Sequence, residues 1–240
     1  MKLLFMHLSD LHLSKNDDIN EDAIAGIAQT LSSQNIGSIN HVLVLVTGDI
    51  ANAGKKNEYD AFHSFKELLL SALAENLPHD ATLHMYIVPG NHDIHYDYFS
   101  NPDDRQYYET FLKNQNNYTL LDTDREVVSR LEFIRFSHKV NSLTPAAQLF
   151  ARYAIALDGF SLEINLLNTT FCSLMHENDQ GLHYLPSDVI KKLESPSGAM
   201  MAITLLHHSH QWFHDSCKRD LERALKERIL LSSVGMNTLR

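Results

Sequence analysis

The chain has 240 residues, 44% of them hydrophobic, enough to bury one substantial core. Its formal charge of −10 argues against a sequence-independent nucleic-acid binder, which needs a basic footprint, although two bound divalent cations would offset much of that charge locally. Histidines number 15 against 2 cysteines, and Cys172 and Cys217 have no CxxC spacing, so neither a zinc ribbon nor a disulfide framework is suggested.

Leu3–Leu8 is a short apolar run with the character of a buried strand. Together with Met1 it is too short, and too soon interrupted by Asp10, for a secretory leader. No apolar run approaches the roughly 18 residues of a membrane span, and a soluble cytoplasmic protein is expected. Glu21–Leu31 places Ile24, Ile27, Ala28 and Leu31 at helical spacing. His41–Val46 is continuous and β-branched, as in a strand covered on both faces. Tyr59–Leu73 carries a stripe of Phe62, Phe65, Leu69, Ala72 and Leu73, and Leu83–Val88 is a third strand. This β-α-β-α-β order predicts right-handed crossovers and a parallel or mixed sheet.

A helix is expected over Asn101–Asn117, opened by Pro102-Asp103-Asp104. Tyr153–Leu157 and Leu162–Leu167 flank Asp158-Gly159, a two-residue hairpin signal. Pro186-Ser187-Asp188 opens a short helix to Leu193. Ala199–Leu206 is a strand that runs into His207-His208-Ser209-His210, followed by a helix over Lys218–Lys226 and a strand-like run over Ile229–Val234. No repeat or linker divides the chain, so residues 1–240 are expected to form a single α/β domain.

Three strand ends carry donors: Asp10-Leu11-His12, Gly48-Asp49 and Gly90-Asn91-His92-Asp93. In an extended segment Asp10 and His12 point the same way, so one metal could take a carboxylate and an imidazole from them. Gly48 permits a sharp turn and leaves room beside Asp49, whose two oxygens can bridge cations at the roughly 3.5–4 Å separation of two-metal sites. Asn91 adds a neutral oxygen, which keeps the site open to a phosphate. Mixed O and N donors without thiolate suit Mn, Fe or Zn. His92, with Asp93 to orient it, suits a general acid for the leaving group. A lone Asp-x-His is more often a solvated loop, and a lone Gly-Asp is weaker still; the weight comes from three such motifs after three successive strands.

Together these motifs resemble those of the calcineurin-like metallophosphoesterase family, over most of the chain. Ile203–Leu206 followed by His207 resembles its fourth motif, where a strand delivers one histidine. The resemblance implies two mixed sheets packed as a sandwich flanked by helices. It also implies a bridging Asp49, with Asn91 and His207 on one metal and Asp10 and His12 on the other. Gly48-Asp49-Ile50-Ala51 with Gly54-Lys55, and His207-His208 with Trp212, look most like bacterial members often fused to signalling NTPase or repeat domains. His207 and His208 cannot both face one way off a strand, and His207 is preferred. His210 reads as a surface histidine or one supporting a ligand. His7, His41, His63, His79, His84, His138, His176 and His183 read as ordinary histidines. His95 and Arg105 follow the third motif, where they could reach a substrate phosphate or serve as caps or surface residues.

The family normally closes its site with Gly-His-x-His on a last strand. Here Ile229–Val234 leads into Gly235-Met236-Asn237-Thr238, and no histidine follows His214. Val234–Leu239 can be encoded by a string whose alternative frame reads Gly-His-Glu-His-Thr. A frame change near Ser232–Val234 is therefore one account of an incomplete C-terminal ligand set; a naturally divergent end or a boundary set in cloning are the others, and sequencing the coding DNA separates them. The resulting expectation is a metal-dependent phosphoesterase acting on phosphate mono- or diesters through a two-metal-activated water. The rivals are a catalytically impaired binding or regulatory module of the same fold and a metal-dependent nuclease. A phosphate-ester substrate is the expected partner, with no membrane, and with nucleic acid only as a nuclease substrate.

Overall fold

The computed structural model describes residues 2–14, 21–33, 38–95, 149–171, 173, 179–195, 198–226, 229–232 and 235–238. Strands β1 (Leu3–Leu8), β2 (His41–Thr47) and β3 (Thr82–Val88) pair in the order β1-β2-β3, all parallel. β2 is central, and Val42–Val46 are completely buried because both faces of the strand are covered. The crossovers are α1 (Glu21–Ser33) and α2 (Lys56–Asn76). α2 buries Tyr59, Phe62, Phe65, Leu69 and Leu73 along one stripe, and with Ile24 and Leu31 of α1 these cover Val42, Val44 and Val46. Glu58 fastens the start of α2, its carboxylate accepting the Ala53 and Lys55 N–H groups, each at 2.9 Å.

The second sheet runs in chain order: β4 (Phe150–Leu157), β5 (Phe160–Leu167), β6 (Met201–Leu205), β7 (Ile229–Ser232) and β8 (Gly235–Thr238). The two outer pairs, β4–β5 and β7–β8, are antiparallel and the two inner pairs parallel. Asp158 (φ 37°) and Gly159 (φ 86°) make the two-residue turn that the hairpin signal anticipates. Leu162, Ile164, Leu166, Ile203 and Leu205 meet Leu43, Leu45 and Val88 of the first sheet in one inter-sheet core. Two further helices, α3 (Ser187–Glu194) and α4 (Asp215–Leu225), complete the α/β sandwich.

Three expectations change. Among the described residues the first sheet is all parallel, and the mixed pairing expected of both sheets is seen in the second. β8 was not anticipated, because Gly235-Met236-Asn237-Thr238 has no apolar run and joins the sheet through backbone pairing to β7. α4 begins at Asp215 and not at Lys218, since His214 caps it by accepting the Ser216 N–H at 3.2 Å. The helix expected over Asn101–Asn117 lies outside the described residues. Among those described, no helix is long and apolar enough to cross a membrane.

Candidate metal centre

The C-terminal ends of β1, β2, β3 and β6 meet at one rim of the sandwich. β1 stops at Leu8, and the chain then follows the exit of β2: the Asp10 N–H donates to Gly48 O (3.2 Å), that of His12 to Asp49 O (2.8 Å) and that of Leu13 to Ile50 O (2.9 Å). Asp10, His12 and Asp49 all have left-handed backbones, with φ of 57°, 46° and 50°. Strain of this kind persists only where the surroundings impose it, and it concentrates at functional sites. The expectation that Asp10 and His12 share a direction along an extended segment is therefore corrected: twisted loops aim them separately.

Potential ligand atoms fall into two clusters, His12 with Asp49 and His92, and Asp10 with Asp49 and His207. Within each, the atoms lie no more than 4.8 Å apart. Asp49 belongs to both and is only 4% exposed. Its Oδ2 is 3.5 Å from His207 Nε2 and 3.7 Å from His12 Nε2, while its Oδ1 accepts the His92 backbone N–H at 2.9 Å. Two glycines make this packing fit. A Cβ on Gly90 would run into the Asp49 carboxylate, and a Cβ on Gly48 would run into the His207 ring. The space expected beside Gly48 for ions is thus taken by a histidine from the other sheet.

His207 follows β6 and is 4% exposed. Its Nδ1 lies 2.9 Å from Thr47 O, so Nδ1 is the donor and Nε2 presents a lone pair. That lone pair faces Asn91 Oδ1 at 3.1 Å and Asp49 Oδ2 at 3.5 Å. Three electron-rich atoms turned on one another need a proton or a cation among them, and a divalent ion suits the donor set. His208 turns away: its N–H donates to Thr169 Oγ1 at 3.1 Å, and its ring packs against His183 and Trp212. Burial, followed by the neighbouring His183 and His207, holds its pKa well below the ordinary histidine value.

His92 and Asp93 sit on a short 3-10 turn, Asn91–Asp93, and point apart. The exposed His92 ring puts Nδ1 2.9 Å from Asn52 O. Asp93 is fully buried; its carboxylate accepts N–H groups from Gly90 (2.8 Å), Ala51 (2.9 Å) and Ile50 (3.2 Å), with Tyr59 Oη at 3.2 Å. It does not contact His92, so the orienting part expected of Asp93 falls to the Asn52 carbonyl. What Asp93 holds instead is the second-motif loop against the third.

Sequence reasoning missed Thr47, whose carbonyl serves His207 and also accepts from Ser9 Oγ at 3.0 Å. It missed Asn52 and Tyr59 as well. Thr47 immediately precedes Gly48-Asp49, and that adjacency was the available signal. His210 stands 3.9 Å from Glu222 of α4. His95 follows the Asn91–Asp93 turn, and Arg105 lies outside the described residues.

The sequence profile of the calcineurin-like phosphoesterases matches residues 3–231. The chain belongs to this family. No curated protein matches it. Calcineurin-like phosphoesterases are typically metal-dependent hydrolases of phosphoric esters, and the two clusters sharing Asp49 are the candidate metal positions of this member.

Proposed function

We propose that this chain hydrolyses phosphate mono- or diesters with two divalent ions, Mn, Fe or Zn, held by Asp10, His12, Asp49, Asn91 and His207. The observation that carries the proposal is Asp49, one buried carboxylate with Oδ2 3.5 Å from His207 Nε2 and 3.7 Å from His12 Nε2, a position from which it could serve two ions. When bound, the ions would supply Lewis-acid polarisation of the phosphoryl group and a nucleophile from water at neutral pH. The remaining work belongs to the chain's own residues. His207 is oriented by Thr47 O, and His12 and Asp10 approach Asp49 from the opposite loop. His92 gives its Nδ1–H to Asn52 O and so offers Nε2 from an exposed ring, where it can hold a proton for the leaving oxygen. Asp93 acts by fixing the loops, and touches no substrate.

The test is hydrolysis of p-nitrophenyl phosphate and its bis-ester with added Mn²⁺, comparing the chain with Asp49→Asn. The expected outcome is activity in the parent and a loss of about 100-fold or more in the variant. Equal rates from both proteins would overturn the proposal.

One observation favours a second reading, an inert phosphoesterase-fold module that binds metal or phosphate: among the described residues, β7 and β8 bring no histidine or carboxylate to either cluster. The Leu206 N–H donates to Leu231 O at 3.0 Å, so β7 runs beside the approach to His207. The next described segment, β8, turns back with Ser232 opposite Gly235. Silence from both folded proteins in the assay supports this second reading, and a plasmid-nicking assay separates a nuclease from a small-molecule phosphatase. The resemblance of the second and fourth motifs further supports a bacterial type associated with signalling NTPase or repeat domains.

A further inference from the structure

The two clusters that share Asp49 are unequally furnished by the proposed ligand set. On one side Asp10, Asp49 and His207 bring ligand atoms together, and Asn91 Oδ1 lies 3.1 Å from His207 Nε2. On the other side that set supplies only His12 and Asp49, whereas an open metal site takes about three protein ligands. Among the described residues the third ligand-capable side chain of this cluster is His92.

The backbone places His92 for that part. Its N–H donates to Asp49 Oδ1 at 2.9 Å, which pins the residue to the carboxylate both ions would share. The ring stands edge-on to that of His12, with centroids 4.6 Å apart and planes at 90°. Nδ1 lies 2.9 Å from Asn52 O, so Nδ1 is the donor and Nε2 keeps the lone pair. His207 is held in the same way and at the same distance by Thr47 O. Metal-binding histidines are characteristically fixed like this, the second ring nitrogen giving its proton to a carbonyl or carboxylate.

The spacing suits an ion. Two donors each about 2.1 Å from one ion stand no more than about 4.2 Å apart. His12 Nε2 and Asp49 Oδ2 meet that limit at 3.7 Å. The whole cluster falls within 4.8 Å, so a small shift of the exposed His92 ring completes the set. Its lone pair can take an ion or the proton meant for a leaving oxygen, and not both at once.

We propose that, in the absence of substrate, His92 is a ligand of the ion at the His12–Asp49 position, an assignment that rests on the proposed phosphoesterase centre.

The test is Co²⁺ binding by the full chain without substrate, Co²⁺ serving as a coloured substitute for Zn²⁺, read by titration and by visible absorption. His207→Gln first disables the neighbouring position, and His92→Ala or His92→Phe is then added. The phenylalanine keeps a ring beside His12 and offers no donor. The expected result is that His207→Gln retains Co²⁺, and that both additions weaken it about tenfold or more and shift its absorption bands. The circular dichroism spectrum should not change, because the His92 side chain is exposed. Co²⁺ lost entirely with His207→Gln, or held unchanged after His92 is replaced, overturns the assignment alone. Weakening by His92→Ala that His92→Phe does not reproduce also overturns it, since packing would then be the cause. A parent chain that binds no Co²⁺ overturns it together with the phosphoesterase centre.

Discussion

The Asp93 carboxylate gathers three backbone N–H groups and the Tyr59 hydroxyl in a site sealed from water. Burial pushes its pKa up to about 6, with the Asp49 charge adding to the rise and the backbone donors opposing it. The unfolded carboxyl, near 3.8, gives up its proton first, so between about pH 4 and pH 6 the folded state binds more protons than the unfolded one. Stability from this group is greatest below that window and falls as pH rises through it, by roughly 3 kcal/mol in all. Urea unfolding of the metal-free protein across pH 4–7 should therefore show a downward component that Asp93→Asn removes, even as the variant loses stability overall by placing an amide N–H₂ against N–H donors. An unchanged slope in the variant would refute the assignment. The role was illegible in the sequence because His92 and Asp93 are adjacent, and adjacency on a 3-10 turn sends their side chains in different directions. Partners such as Ala51 lie 42 positions away.

At the scale of elements, the end of α3 is tied to the second sheet by one side chain. Arg152 on β4 donates through Nη1 to Ser195 O (2.9 Å) and through Nη2 to Lys192 O (2.7 Å) and Leu193 O (3.2 Å). Its Nε reaches Asn165 Oδ1 (3.0 Å) and lies 3.3 Å from Glu163 Oε2. A guanidinium here serves the negative end of the helix and the 1%-exposed Glu163 together. Arg152→Ala should cost about 3 kcal/mol by removing the guanidinium beside the buried Glu163 carboxylate, which keeps the Asn165 amide as a donor, measured by denaturant unfolding. Arg152→Lys should recover only part of the loss, because a single ammonium cannot span both sets of acceptors. The strands and the Asp158-Gly159 turn were legible, since alternation and turn chemistry are local. The reach of Arg152 was not, because in sequence it is one more charged residue just ahead of the expected Tyr153–Leu157 strand, which the structure extends back to Phe150.

At the scale of the molecule, the candidate centre exists only where the two sheets meet: three motifs come from the first sheet, and His207 comes from the second. Metal binding is thereby linked to the fold. Mn²⁺ at about 100 times its dissociation constant should raise unfolding free energy by about 2.7 kcal/mol. A chelator should reverse the gain, and Asp49→Asn should largely abolish it; calorimetric or urea unfolding with and without Mn²⁺ reads this directly. The sequence alone determined the strands that carry apolar runs, β8 excepted, and the candidate donor residues, through motifs whose chemistry is carried by neighbouring positions. Tertiary structure alone decided that Asp10 and His12 join different clusters and that Thr47 sets the tautomer of His207. Those outcomes depend on where strands end and which faces oppose one another, and periodicity along a single chain does not encode distances between segments far apart in sequence.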